Sequence, residues 1–274
     1  MSNKLLETIY SSANFLKSQG IGKVDIGIVL GTGLSHYVNE IEIISQIPYS
    51  KIPGFSEATV EFHEGKLIYG KVKNKYVLAM KGRYHFYEGY TMQEITLPIR
   101  VMKLLGASTL FLSNAAGGMN LSWKKGDLML LTDHINLQQP NPLIGKNLVE
   151  FGPRFPDMSE AYDKNLISLF NNSAKKNNIV LRNGIYVSVA GSMLESPAEY
   201  KFLRKIGADA VGMSTVPEVI VAKHCGMKVA AISVITDECD PDNLQPINIP
   251  EIIEIAGKSE KKLAILLNEV IDKI

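Results

Sequence analysis

The sequence is poor in cysteine, in net charge and in long apolar runs, and each shortage excludes a class of protein. Cys225 and Cys239 are its two cysteines, too few for a disulfide framework and not at the spacing of a zinc site. A reduced compartment is therefore the simpler interpretation, and we expect a cytoplasmic protein. The 29 basic and 28 acidic residues leave a net charge of +1. This balance argues against a cationic nucleic-acid or membrane binder, because phosphate affinity comes from neutralising many charges.

Signals for export or membrane insertion are also lacking. Residues 1–7 contain no uninterrupted apolar stretch, so we expect no signal peptide. No apolar run approaches the ~20 residues that span a bilayer, so we expect no transmembrane helix. Because the whole chain is nearly neutral, any anionic ligand must be bound locally by a few directed donors.

Strand and helix patterns alternate along the chain and predict an α/β fold with a largely parallel or mixed sheet. Helical spacing of apolar residues predicts helices over 4–18, 92–105, 163–177 and 250–273. Short apolar or β-rich runs predict strands over 25–30, 66–72, 75–81, 109–113, 127–132, 184–190, 210–213 and 228–236. Pro98 is expected at a kink or near an end of its helix. Repeats and composition breaks are lacking, so we expect one domain, residues 1–274, with a functional proline-rich loop over 136–160.

A glycine-rich turn, Gly31-Thr32-Gly33, follows the first predicted strand. The third glycine of the dinucleotide-binding pattern is replaced by His36, and no βαβ unit with an acidic ribose anchor follows. Two interpretations stay open. The segment is either a plain turn or a turn whose N–H groups and Thr32 hydroxyl bind a small anion.

The stretch 81–90 concentrates side chains that bind anions. In an extended chain Arg83, His85 and Tyr87 would share one face. Arg83 offers a planar guanidinium suited to phosphate, His85 can donate beside it, and Tyr87 adds a flat ring with a hydroxyl. The alternative is an exposed edge strand with incidental charge.

Two predicted helix starts carry the pattern of a capping box, one at Ser196 and Glu199 and one at Thr215 and Glu218. Ser214 precedes the second start, where free N–H groups and partial positive charge favour an anion. The alternative is that both boxes only begin helices.

Other segments place small or acidic residues after strands. Residues 114–118 have little side-chain bulk, so their backbone can approach a ligand or a packed helix closely. The acidic stretch 237–242 follows the strongest predicted strand and indicates an active-site edge, a divalent metal or a solvated loop. The five histidines form no zinc-binding motif, and Val216 breaks the serine-hydrolase pattern that begins at Gly212.

Together these segments resemble the trimeric, low-molecular-mass class of purine nucleoside phosphorylases. The matching segments occur in family order and cover nearly the whole chain: 30–33, 83–90, 114–118, 133–136, 154–159, 190–195 and 211–218. The resemblance implies that phosphate attacks C1′ of a purine (2′-deoxy)ribonucleoside and releases the base and α-(deoxy)ribose 1-phosphate. It also implies a single α/β domain with a mixed β-sheet surrounded by helices, a homotrimer, and neither organic cofactor nor metal.

The resemblance also implies roles for individual residues. The phosphate would be bound by Thr32, His63, Arg83, His85, the N–H of Ala115, and Ser214. The nucleoside would be bound by Tyr87, Ala115, Leu194, Glu195, Met213, Asp237, Asn248 and, from a neighbouring subunit, Phe155. The catalytic roles would fall to His85, Glu195 and Asp237.

Four positions depart from the family pattern. Thr32 replaces a serine and keeps the hydroxyl, Leu194 replaces a base-stacking aromatic, and Asn248 stands near a histidine position that faces the ribose 5′-hydroxyl. Asp237 stands where inosine- and guanosine-cleaving members have asparagine. An ionised carboxylate would repel the N7 lone pair, so Asp237 must be protonated or must accept from a 6-amino group. We hypothesise that it donates a proton to N7 of the leaving base and admits 6-aminopurines.

Two other functions stay open. A 5′-methylthioadenosine or methylthioinosine phosphorylase is favoured by Asp237, because an aspartate suits adenine. A non-catalytic nucleoside- or phosphate-binding protein is the alternative of another class. Release of free base in the presence of phosphate would separate an enzyme from a binding protein.

Overall fold

The computed structural model describes residues 2–32, 35–57 and 65–274. The helices of these residues are α1 (Ser2–Ser18), α2 (Met92–Leu104), α3 (Lys164–Lys176), α4 (Pro197–Lys205), α5 (Val216–His224) and α6 (Ile249–Ile271). The strands are β1 (Ile26–Leu30), β2 (Glu42–Pro48), β3 (Lys66–Val72), β4 (Lys75–Lys81), β5 (Thr109–Gly118), β6 (Leu128–Asn136), β7 (Leu181–Ser188), β8 (Ala210–Gly212) and β9 (Lys228–Glu238). None of the described helices combines the length and the apolar character needed to cross a bilayer.

The strands form one mixed sheet in the order β2-β3-β4-β1-β5-β8-β7-β6-β9. Strand β1 runs parallel to both β4 and β5, while β2, β3 and β4 are antiparallel neighbours. Strand β9 also pairs in parallel with β5, so the second half of the sheet closes on itself. The predicted α/β fold with a mixed sheet surrounded by helices is confirmed.

Helices cover both faces of the sheet, which explains why its central strands read as apolar runs. All five residues of β1 are buried, and β9 is buried from Val229 to Thr236. One apolar cluster joins α1, α2 and α5 to the sheet through residues such as Ile9, Leu97 and Val219. A second cluster joins α3 and α6 through Phe170 and Leu266.

Three local results differ from the sequence predictions, narrow them or add to them. Residues 114–118 were expected to leave the strand, but β5 continues to Gly118 because β8 and β9 pair with this part. Pro98 lies in the interior of α2, so the expected position near a helix end is excluded and the expected kink stays a prediction. Strand β2, an edge strand with a mostly exposed burial pattern, was not predicted. Between β6 and α3, residues 137–163 form neither helix nor strand, as the predicted loop requires.

Candidate active site

A cavity of about 170 Å³ opens where neighbouring parallel strands end. Its wall contains ten of the predicted site residues: Thr32, Arg83, His85, Tyr87, Ala115, Leu194, Glu195, Met213, Ser214 and Asp237. Strands β1, β4, β5 and β9 are parallel along this part of the sheet, so their carboxyl ends meet at one edge. His63 lies outside the described residues, and Phe155 and Asn248 are not part of the wall of this cavity.

The end of β1 approaches β5 so closely that only glycine fits there. A Cβ on Gly31 would lie 2.6 Å from the carbonyl oxygen of Ser113 and 2.8 Å from Cα of Asn114. The close approach brings Thr32, the next residue, beside the backbone of residues 114–117 in the cavity wall.

Arg83 is anchored before any ligand arrives. Its side chain is 1% exposed, and its Nε and Nη2 donate to Oε1 of Glu218 at 3.0 and 2.5 Å. A third N–H, on Nη1, donates to the carbonyl oxygen of Ser113 at 2.8 Å. Arginine has five N–H donors, so at most two can be directed at a bound anion.

His85 and Tyr87 do not lie on an extended strand, so that part of the sequence interpretation is wrong. A short 3-10 helix, Phe86–Glu88, begins immediately after His85 and ends at Gly89, whose φ is 92°. The carboxylate of Glu88 accepts from the backbone N–H of His85 at 2.7 Å and lies 2.9 Å from its Nδ1. The turn stacks the rings of His85 and Tyr87, with centroids 4.8 Å apart. Both residues still reach the cavity.

The protonation of His85 follows from its surroundings. Burial lowers the pKa of His85, and the hydrogen bond with Glu88 opposes that change. The neutral ring therefore dominates at pH 7. Because Nδ1 faces a carboxylate, we place the proton on Nδ1, which makes Nε2 a hydrogen-bond acceptor.

The second predicted capping box is wrong. Thr215 has φ 72° and makes no side-chain cap for α5; its Oγ1 instead accepts from Nδ2 of Asn114 at 2.8 Å. The N–H of Val216 donates to the carbonyl oxygen of Ser214 at 2.8 Å, so the chain turns tightly at Thr215. This strained turn directs Ser214 to the cavity just before the first turn of α5.

The first capping box is confirmed and places Glu195. Ser196 Oγ accepts from the N–H of Glu199 at 3.3 Å, and Glu199 accepts from the N–H of Ser196 at 2.7 Å. Glu195 lies just before this cap and lines the cavity. Burial raises the pKa of Glu195, and the charge of Asp237 raises it further, against a hydrogen bond with Tyr200 that lowers it.

A second cavity of about 500 Å³ adjoins the first. Leu194, Glu195 and Asp237 line both cavities, whereas Asn248 lines the second alone. The side chain of Asn248 caps α6, because its Oδ1 accepts from the N–H of Glu251 at 3.2 Å. Its predicted contact with a ribose hydroxyl stays a prediction.

Phe155 lies on the long loop and is 87% exposed, so it does not contribute to the cavity of its own chain. The guanidinium of Arg154 lies 5.9 Å from the centroid of its ring. An aromatic ring so exposed is suited to contact another surface. The predicted insertion into a neighbouring subunit stays a prediction.

Sequence reasoning missed two partners of the site residues. Glu218 was interpreted only as a capping residue, although it is the buried ion-pair partner of Arg83. Asn114 was expected to contribute small size, although its amide fixes Thr215. Within the described part of the chain, no group of three or more His, Cys, Asp or Glu side chains is arranged to hold a metal ion.

Comparisons with known proteins show the family of the chain. The model of the Phosphorylase superfamily matches residues 25–272. Purine nucleoside phosphorylase 1 of Bacillus subtilis is 49% identical over 252 residues, which cover 92% of this chain and 93% of the relative. The purine nucleoside phosphorylase of Bos taurus is 41% identical over 264 residues, covering 94% and 91%.

Solved structures give the same result. The Schistosoma mansoni purine nucleoside phosphorylase crystallised with adenosine has a TM-score of 0.93 at 38% identity, covering 98% of this chain and 97% of that one. Isoform 2 from the same organism, with cytosine and ribose-1-phosphate, has a TM-score of 0.92 at 44% identity, covering 98% and 96%. The chain therefore belongs to the phosphorylase superfamily and, within it, to the purine nucleoside phosphorylases.

Proposed function

We propose that the protein catalyses phosphorolysis of purine nucleosides: phosphate attacks C1′ and releases free base and α-(deoxy)ribose 1-phosphate. One observation carries the proposal. A single cavity joins anion-binding groups, among them Arg83 and Ser214, to a pair of carboxylates, Glu195 and Asp237. The carboxylates border the adjoining second cavity, whereas the anion-binding groups do not.

Phosphate would occupy the end formed by Thr32, Arg83, His85, the N–H of Ala115, and Ser214, with His63 as a further predicted ligand. The positive end of α5 and the hydroxyls of Thr32 and Ser214 suit a dianion. Glu218 cancels the charge of Arg83, so the dianion would be held largely by neutral donors. Neutral His85, with its proton on Nδ1, would accept the remaining proton of monohydrogen phosphate at Nε2.

The sugar and base would lie between phosphate and the carboxylates. The transition state is oxocarbenium-like, so positive charge grows on the ribose while negative charge grows on the leaving purine. Phosphate beneath the ribose stabilises the first charge, and positioning supplies much of the rate. Tyr87 and Met213 would line the ribose, Leu194 would cover the base, and Glu195 would bind its edge.

Asp237 would meet the N7 and C6 side of the purine. It would donate a proton to N7 as the base leaves, or accept from a 6-amino group. The support is its place at the end of β9, in the wall of both cavities. A 5′-methylthioadenosine phosphorylase is the second candidate, because the same aspartate suits adenine; comparing adenosine with its 5′-methylthio analogue tests it.

We further propose a homotrimer in the cytoplasm that uses phosphate as co-substrate and needs no organic cofactor, metal, nucleic acid or membrane. Phe155 supports the trimer, because it is exposed and absent from its own cavity. Cys225 and Cys239 are buried and form no disulfide, which supports a reduced compartment. All 274 residues would act as one domain.

The proposed reaction is tested by its co-substrate. Inosine, guanosine and adenosine are incubated with the enzyme in phosphate, in arsenate and in a buffer without either anion, and free base is measured. We expect release of free base in the phosphate and arsenate buffers and none in the buffer without either anion. Release at the same rate without either anion, or no release in any of the three, would contradict the proposal.

A further inference from the structure

The thiol of Cys239 lies against the carboxylate of Asp237 at the end of β9. Its Sγ donates to Oδ2 of Asp237 at 3.0 Å. The hydroxyl of Thr236 has two acceptors in reach, Oδ1 of Asp237 at 2.9 Å and the carbonyl oxygen of Ala116 at 3.3 Å, and we assign its proton to the closer one, Oδ1. Each oxygen of the carboxylate therefore receives one donor. Cys239 is 2% exposed, and its backbone N–H donates to the carbonyl oxygen of Gly118 at 2.8 Å. The thiol is thus held by the same strand pairing that holds Asp237.

The Cys239–Asp237 contact borders the same cavities as the second carboxylate, Glu195. The second cavity is lined by Glu195, Tyr200, Cys239 and Asp237. Of these, Glu195, Tyr200 and Asp237 also line the first cavity. The two carboxylates proposed to contact the base therefore belong to the wall of one cavity.

Gly117 of β5 lies beside the thiol of Cys239 and the carboxylate of Asp237. A Cβ at this position would lie 2.6 Å from Sγ of Cys239 and 3.1 Å from Oδ2 of Asp237. A side chain at position 117 would therefore displace the thiol or the carboxylate, so the contact depends on glycine in β5.

We propose that Cys239 is a positioning residue that fixes the Asp237 carboxylate toward the purine. The inference rests on the proposed function, in which this carboxylate contacts the base. With a donor on each oxygen, Asp237 is held as an acceptor-only carboxylate. Such a group matches the N–H of a 6-aminopurine better than the oxygen of a 6-oxopurine. The thiol thereby contributes to the preference between these substrates.

Kinetics of three variants test the proposal. Cys239→Ala removes the donor, Cys239→Ser restores one, and Cys225→Ala removes the other buried thiol, at the end of α5 and outside both cavities. We expect Cys239→Ala to raise the KM for adenosine about tenfold, as loss of a hydrogen bond to a charged group does, with the KM for phosphate unchanged. In Cys239→Ala the adenosine-to-inosine ratio of kcat/KM should fall. Cys239→Ser should recover most of the wild-type ratio, and Cys225→Ala should match the wild type.

An infrared measurement tests the contact without turnover. In the Cys225→Ala protein the S–H stretching band belongs to Cys239 alone, and we expect the Asp237→Asn change to move it to higher frequency. A band that does not move overturns the proposal. So does a Cys239→Ala enzyme whose adenosine-to-inosine ratio of kcat/KM is unchanged. A Cys239→Ser enzyme as impaired as Cys239→Ala overturns it as well. Wild type that releases no base refutes the proposed function instead, while the band still reports the hydrogen bond.

Discussion

The guanidinium of Arg83 and the carboxylate of Glu218 form an ion pair inside the protein, with 2.5 Å between Nη2 and Oε1. The two side chains are 1% and 3% exposed. Among the described residues, Oε2 of Glu218 has no hydrogen-bond partner, so this carboxylate depends on Arg83. The pair anchors α5, and with it Ser214, to the segment that follows β4.

Glu218→Gln tests this dependence. The substitution keeps the shape of the side chain but leaves the buried Arg83 charge uncompensated. We expect the free energy of unfolding to fall by about 3–5 kcal/mol, the range for breaking one side of a buried ion pair. Urea unfolding measures it, with Glu254→Gln in the exposed pair with Lys258 as the matched control. Equal effects of the two substitutions would contradict the interpretation.

Much of the fold could be predicted because burial on both faces leaves a direct mark on sequence. Strand β1 is a continuous apolar run, and the buried part of β9 is apolar except for Ser233 and Thr236. The hairpin of β3 and β4 is marked by Lys73 and Asn74 between β-rich segments. The later half of β5 has no such mark. The residues there are small because neighbouring strands approach closely, as at Gly117. When the neighbouring strands are unknown, a run of small residues predicts a turn.

The residues of the active site could also be predicted only where local sequence is informative. The sequence predicts Arg83 and Ser214 from local chemistry, but the partner of Arg83 lies 135 residues away, and a capping pattern accounts for Glu218 without it. Thr215 is similar. Its positive φ is imposed by the surrounding fold and its hydrogen bond with Asn114, which no local propensity encodes. Long-range pairing, not side-chain chemistry, was the missing information.

Thr32→Ala tests the anion-binding end. The hydroxyl is one of few donors proposed for phosphate, so its loss should raise the KM for phosphate by about tenfold or more, as for a hydrogen bond to a charged group. Thr32→Ser keeps the hydroxyl and should stay near the wild type. Initial rates at varied phosphate and saturating nucleoside measure both. If Thr32→Ser is as impaired as Thr32→Ala, the effect comes from the lost methyl group and not from the lost hydroxyl.

His85 should titrate below its ordinary pKa of 6.5, because burial lowers its pKa. The folded chain then binds fewer protons than the unfolded chain between the two pKa values. The His85 contribution to stability is therefore complete above pH 6.5 and is lost as the pH falls through the folded pKa. Glu88→Gln removes a contact that raises this pKa, so the His85 midpoint in an NMR titration should move lower still. A midpoint above 6.5 in the wild type would contradict the assignment.

Asp237→Asn tests base preference. The amide donates to N7 or to a 6-oxo group as well as accepting, so the variant should gain on inosine and lose on adenosine. We expect the adenosine-to-inosine ratio of kcat/KM to fall by about tenfold or more, equivalent to one hydrogen bond to a charged group. Asp242→Asn is the control, since Asp242 pairs with the exposed Lys201 outside both cavities. A variant with unchanged ratio would remove Asp237 from base recognition.

Phe155→Ala tests whether one subunit completes the site of another. The ring is 87% exposed in the single chain, and burying a phenylalanine contributes about 2 kcal/mol, so its loss should cost roughly 30-fold in kcat/KM. Val180→Ala, at another exposed apolar position, should have no effect. Phe155→Ala and Glu195→Ala proteins, each impaired, are then unfolded together and refolded as mixed oligomers. Such oligomers contain sites with an intact Glu195 in one subunit and a phenylalanine from its neighbour, so activity should exceed the sum of the separately refolded proteins. Activity equal to that sum would place Phe155 outside its neighbour's site.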